Sequence, residues 1–118
     1  MTLFDTTQIA LERAMSGATL RHSVLASNLA NANTPGYRPM DVDFHSALQE
    51  ALQFGSRAIE AAEIAPAPSG DGVMRADGNG VDVDVTSAHL AENGLELSAI
   101  TQVAGARLDV LRYALGTR

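Results

Sequence analysis

The sequence predicts a mainly α-helical chain with a long helix at each end and a loop-rich segment between them. Two observations predict it. Apolar and small residues recur at alternating spacings of four and three near both termini, the period of one helix face. Between them, residues 64–80 hold two of the four prolines and four of the ten glycines, which no regular element tolerates.

The first helix is expected over residues 5–32. Asp5, Thr6 and Thr7 offer side-chain oxygens to the free N–H groups of the first turn. The seam runs Phe4, Gln8, Leu11, Met15, Ala18, His22, Leu25, Leu29, Ala32. Gln8 and His22 interrupt it, so a bundle helix fits better than a parallel zipper, with His22 packed or facing a groove. The helix should end near Asn31–Asn33, because Pro35 disfavours helical geometry at Thr34. Thr34-Pro35-Gly36-Tyr37 fits a type II turn, with Gly36 taking the positive φ of its third position. Asn is a poor helix former, so Asn28, Asn31 and Asn33 in the last turns suggest a specifically bonded corner.

Asp43 is placed to cap a further helix carrying Phe44, Leu48, Leu52 and Ile59, although Gly55 weakens its continuity. Residues 64–80 read as a flexible linker or exposed loop. The last helix is expected over residues 84–115. Asp82, Asp84, Thr86 and Ser87 compete as N-caps, and Gly116 is a C-cap. Its seam runs Leu90, Gly94, Leu97, Thr101, Ala104, Leu108, Leu111, Leu115. The organisation is thus 1–33, first axial helix; 34–83, signature turn and loop-rich middle; 84–118, second axial helix.

Composition narrows the function. Of 118 residues 46% are hydrophobic but only 4% aromatic, so the core is thin and Ala-rich and gains from partners that cover it. The net charge is −6, and the middle carries it: residues 41–84 hold nine acidic residues against two arginines. The nearly neutral ends can pack against like copies. No basic stripe exists to displace counterions, so nucleic acid is not an expected partner. No apolar run approaches the ~20 residues that span a bilayer. The N-terminus lacks the charged and apolar regions of a cleaved signal. There is no cysteine. His22, His45 and His89 show no ligand spacing, and an EF-hand ladder counted from Asp71 fails at its ligand positions. No nucleophile elbow or phosphate-binding glycine pattern is present. No catalytic residue, cofactor or metal is therefore expected.

The segment Asn28-Leu29-Ala30-Asn31, with Asn33, Thr34, Pro35, Gly36, Tyr37, Arg38 and then Phe44, resembles the N-terminal signature of bacterial flagellar axial proteins over roughly residues 9–48. Asp77-Gly78-Asn79-Gly80-Val81-Asp82-Val83-Asp84 and the following Ala91-Glu92-Asn93 and Leu108-x-x-Leu111-Arg112 are similar to the proximal rod subgroup. Gly80, where that subgroup often has Asn, and Val85-Thr86 depart from its pattern. The resemblance implies an antiparallel, coiled-coil-like hairpin of the two terminal helices. It implies subunits stacked helically around a channel, with copies of itself and other rod and basal-body proteins as partners. It also implies export of the unfolded chain through the flagellar type III apparatus into a rod that crosses the periplasm. Asn28 to Phe44 would form the interface signature, and Leu11, Met15, Leu25, Leu29, Leu90, Leu97, Leu108 and Leu111 the helix seams. A soluble helical-hairpin adaptor or export chaperone is the alternative. It would share the seams but not need the asparagine-rich corner.

Overall fold

The computed structural model describes residues 5–69 and 73–116. Phe4 of the first seam and Gly70 to Gly72 of the expected loop lie outside them. The elements in order are α1 (Thr6–Ala30), β1 (Met40–Asp41), α2 (Phe44–Leu52), α3 (Ser56–Ala61), β2 (Ala67–Pro68) and α4 (Val83–Ala114). α1 and α4 lie antiparallel. Arg107 reaches Asp5 at 2.8 Å, Asn93 reaches the Ala18 carbonyl at 2.9 Å, and Leu25 and Asn28 share a cleft with Thr86 and His89. At 1.5 Å per residue the 32 residues of α4 run about 48 Å, and the molecule measures 61 × 32 × 14 Å.

Each of the three longer helices starts on an aspartate. Oδ1 of Asp5 accepts from Gln8 N at 2.9 Å, Asp43 from Ser46 N at 3.1 Å, and Asp82 from Val85 N at 3.0 Å. Among the competing caps of α4, Asp82 wins because it alone keeps extended backbone directly before the first helical residue. Gly55, at φ +91°, breaks the middle helix into α2 and α3. That break separates Ile59, fully buried on α3, from Leu52, which is 51% exposed.

The two seams differ from the sequence reading by one residue on alternate turns. On α1 the buried and half-buried line runs Gln8, as expected, then Leu11, Ala14, Ala18, Arg21, Leu25, Asn28, and Ala32 follows just past the helix end. On α4 it runs Thr86, Leu90, Asn93, Leu97, Ile100, Ala104, Arg107, Leu111. Every seventh position agrees with expectation. Between them, Ala14 replaces Met15, Arg21 replaces His22 and Asn28 replaces Leu29. On α4, Asn93 replaces Gly94, Ile100 replaces Thr101 and Arg107 replaces Leu108. His22, Gly94, Thr101, Leu108 and Leu115 are exposed, and Met15 and Leu29 are half-buried. A four–three series can step to either neighbour from each seventh residue. The polar neighbours turn inward because each has a partner there: Arg21 pairs with Asp41, Asn28 with Met40, Asn93 with Ala18 and Arg107 with Asp5.

The core does not lie along the seam alone. Ala18, Val42, Phe44, Leu48, Ala51 and Ile59 form one cluster, so α2 and α3 fold back onto the middle of α1. Gly17 permits this. A Cβ there would stand 2.6 Å from both Cβ and Cγ of Phe44, which lies directly over the helix backbone. Gly17→Ala gains about 1 kcal/mol of helix propensity. Overpacking costs roughly 1–3 kcal/mol, and the clash is with the root of a buried ring, which cannot swing away. Gly17→Ala should therefore lower the urea midpoint, while Gly105→Ala, which meets nothing within 4 Å, should raise it. Equal shifts in both variants would show that Phe44 does not press on α1.

Candidate functional site: a bonded corner joining the two halves of the chain

Past the end of α1 the chain turns sharply. Gly36 has φ +75°, and Tyr37 N donates to Thr34 O at 3.2 Å, which closes the expected turn. The helix end is held from both sides by asparagines. Asn28, 2% exposed, donates Nδ2 to Met40 O at 2.7 Å. Its Oδ1 accepts from Met40 N at 3.1 Å and from the Tyr37 hydroxyl at 3.2 Å. One side chain thus clamps the extended segment 37–41 against α1. Asn31 donates to Ser27 O at 2.8 Å and accepts from the Thr34 hydroxyl at 3.2 Å, which ties the turn to the last helical residues.

The residue that completes the corner comes from the far half of the chain. Asn79 is fully buried. Its Nδ2 donates to Asn31 O at 2.9 Å and to Thr34 O at 2.8 Å, and its Oδ1 accepts from Val81 N at 2.8 Å. Gly36 N donates to Asp77 O at 2.9 Å and Gly80 N to Tyr37 O at 3.1 Å. The Arg75 guanidinium donates to the Ala32 carbonyl. The two segments pass so closely that a Cβ on Gly78, at φ +81°, would sit 3.3 Å from Gly36 Cα. β1 pairs antiparallel with β2, Met40 opposite Pro68 and Asp41 opposite Ala67. Residues 75–80, read from sequence as part of a flexible loop, are therefore anchored. The available signal was an Asn set between two glycines before a capping aspartate, which reads locally only as a turn.

Charge supports the same corner. Arg21 forks onto both oxygens of Asp41 at 2.9 and 3.2 Å. Burial of Asp41 opposes its ionisation, but the Arg21 guanidinium and the Val42 N–H outweigh it and hold the carboxyl below its ordinary range. The Asp41 pair thus favours the fold at neutral pH and is lost as pH falls through that lowered value.

Of the signature residues, Asn28, Asn31 and Tyr37 face inward, Leu29 is half-buried, and Phe44 is a core residue at 1% exposure. Asn33, Thr34, Pro35, Gly36 and Arg38 form the exposed rim of the corner. The cleft beneath it, between Leu25, Met40, Thr86 and His89, encloses about 30 Å³, room for a water and not for a small molecule. Among the described residues no group of three or more His, Cys, Asp or Glu is placed to hold a metal ion, and no helix is long and apolar enough to cross a membrane.

The corner thus binds the end of α1 to the segment that leads into α4 through bonds within one chain. Residues 10–38, α1 and the turn after it, match the family described as Flagella basal body rod protein. The flagellar basal body rod protein FlgB of Bacillus subtilis (strain 168) is 30% identical, across 98% of this chain and 97% of its own length. FlgB of Escherichia coli (strain K12) is 32% identical, across 86% and 89%, and that of Cereibacter sphaeroides 34%, across 80% and 82%. The chain belongs to the flagellar basal body rod protein family, among the FlgB proteins. It is a structural rod subunit, and the adaptor reading is not favoured.

Proposed function

We propose that the chain polymerises through its terminal helices into the proximal rod, where it transmits torque and encloses the export channel without any catalytic role. Its partners are copies of itself and other rod and basal-body proteins. The flagellar type III apparatus delivers it, unfolded, to a rod that crosses the periplasm. Nucleic acid is not a partner, and the chain makes no direct membrane span. The observation that carries this reading is the corner. Its first part, Asn28 to Arg38, lies within the span matched to the rod family, its inner bonds are made within one chain, and its rim of Asn33, Thr34, Pro35, Gly36 and Arg38 faces outward. Leu29 and Arg38 sit where an adjacent subunit would dock. Contacts between unlike faces of like copies build open filaments and not closed dimers.

Gly36→Val tests it. A β-branched residue at φ +75° is strained by roughly 1–3 kcal/mol, although a Cβ there meets no atom within 4 Å. The strain falls on the turn and not on the helices. The variant should be made and should keep most of its helical circular dichroism, yet be missing from isolated basal bodies, with motility lost. Normal rods and motility would remove the corner from the assembly surface.

A further inference from the structure

The chain has five asparagines: Asn28, Asn31, Asn33, Asn79 and Asn93. Two of them, Asn79 and Asn93, precede glycine, and these two are both at 0% exposure. We propose that Asn79-Gly80 and Asn93-Gly94 are self-modification sites that the fold keeps closed, so that a chain left unfolded loses its ability to fold.

The chemistry needs only the chain and water. The main-chain nitrogen of the glycine gives up its proton and attacks Cγ of the preceding asparagine. A C–N bond forms to Cγ, the bond from Cγ to the side-chain nitrogen breaks, and ammonia leaves. Water then opens the cyclic imide at either carbonyl, giving aspartate or its isomer with the main chain routed through the side chain. No oxidation or reduction occurs. Glycine favours the attack because it has no Cβ to shield its nitrogen and few backbone restrictions. Asparagine is among the residues most prone to such thermal damage.

The folded protein blocks both attacks. Gly80 N is committed to Tyr37 O at 3.1 Å, and the Asn79 amide is fixed by three hydrogen bonds. Asn93 and Gly94 lie within α4, where the glycine nitrogen points along the helix towards the carbonyl four residues back. Asn93 Nδ2 is held on Ala18 O at 2.9 Å. Once converted, neither site can recover its place. A carboxylate only accepts hydrogen bonds. At position 79 one oxygen would keep the Val81 N–H while the other faced the carbonyls of Asn31 and Thr34, and at position 93 it would face that of Ala18, buried and without a partner. The remaining asparagines precede Leu29, Ala32 and Thr34 and have a Cβ beside the attacking nitrogen.

The full chain should be held in warm, mildly alkaline buffer with and without urea, then digested with trypsin. Fragmentation mass spectrometry locates conversion at Asn79 and Asn93 within peptide 76–107 and uses Asn28, Asn31 and Asn33 in peptide 22–57 as the reference. In urea, Asn79 and Asn93 should convert faster than the reference on the order of tenfold or more, and removing urea should suppress both by a similar factor, since reaction requires opening. Gly80→Ala and Gly94→Ala should slow conversion in urea, where folding plays no part. Reference-like rates in urea would overturn the chemistry, and rates unchanged by removing urea would overturn the protection. Asn79→Asp and Asn93→Asp should melt well below the parent or show no helical melt, whereas Gln102→Glu, the same amide-to-acid change on an exposed helix position, should melt like it. Parent-like melting of both Asp variants would overturn the claim that conversion ends folding.

Discussion

Leu25→Asp is expected to unfold the isolated chain, whereas Leu108→Asp should leave it folded and still prevent rods from forming. Leu25 is 3% exposed and sits on α1 beside the corner, near Asp41 and Thr86. A carboxylate there is buried without a cationic partner of its own, at a cost of several kcal/mol. Domains of this kind have about 5–15 kcal/mol in total, and an Ala-rich core leaves little above the lower figure. Leu108 is 52% exposed and lies beside the intramolecular seam. Its replacement costs roughly 1 kcal/mol, from lost helix propensity and a negative charge towards the C-terminal end of α4. Thermal melts followed by circular dichroism separate the two in the purified chain. In cells both variants should lack rods, for different reasons: one subunit cannot fold, the other cannot pack against its neighbours. A parent-like melt of Leu25→Asp would refute the packing of α1. Rods of normal length built from Leu108→Asp would show that this face of α4 meets no neighbour.

Asn79→Ala should lower stability by roughly 1–3 kcal/mol, since the buried Val81 N–H loses its partner, while the carbonyls of Asn31 and Thr34 each lose one donor and keep a main-chain one. The damage should spread. Residues 75–80 pair with 36–37, and Arg75 N donates to Asn79 O at 2.9 Å, so release of Asn79 frees the whole segment. Limited trypsin digestion reads this directly. Arg75 is held by the corner in the parent and should be cut much faster in the variant, while Arg21, forked onto Asp41, should not. An unchanged cleavage pattern with an unchanged urea midpoint would mean that the corner is held by the main chain alone.

The sequence by itself determined what depends on near neighbours along the chain. Asp43 stands out as a cap, and Asp5 and Asp82 stand among the candidate caps, because each reaches only three residues forward to a free N–H. Pro35 and Gly36 permit one kind of turn. Every seventh residue of each apolar series must share a side of its helix, whatever lies opposite. The family signature was legible too, because it is written in this same stretch of α1 and the turn after it. The tertiary structure decided whatever required a partner distant in the chain. Whether Asn28 or Leu29, Asn93 or Gly94, Arg107 or Leu108 turns inward depends on Met40, Ala18 and Asp5 standing opposite, and local spacing allows either. A polar side chain is costly in a seam until its hydrogen bonds are supplied, and only the folded chain supplies them. Gly17 is a weak point in a helix until Phe44 is laid across it. Asn79 is a turn residue until its amide meets the end of α1, 48 residues away along the chain, and the turn just beyond it.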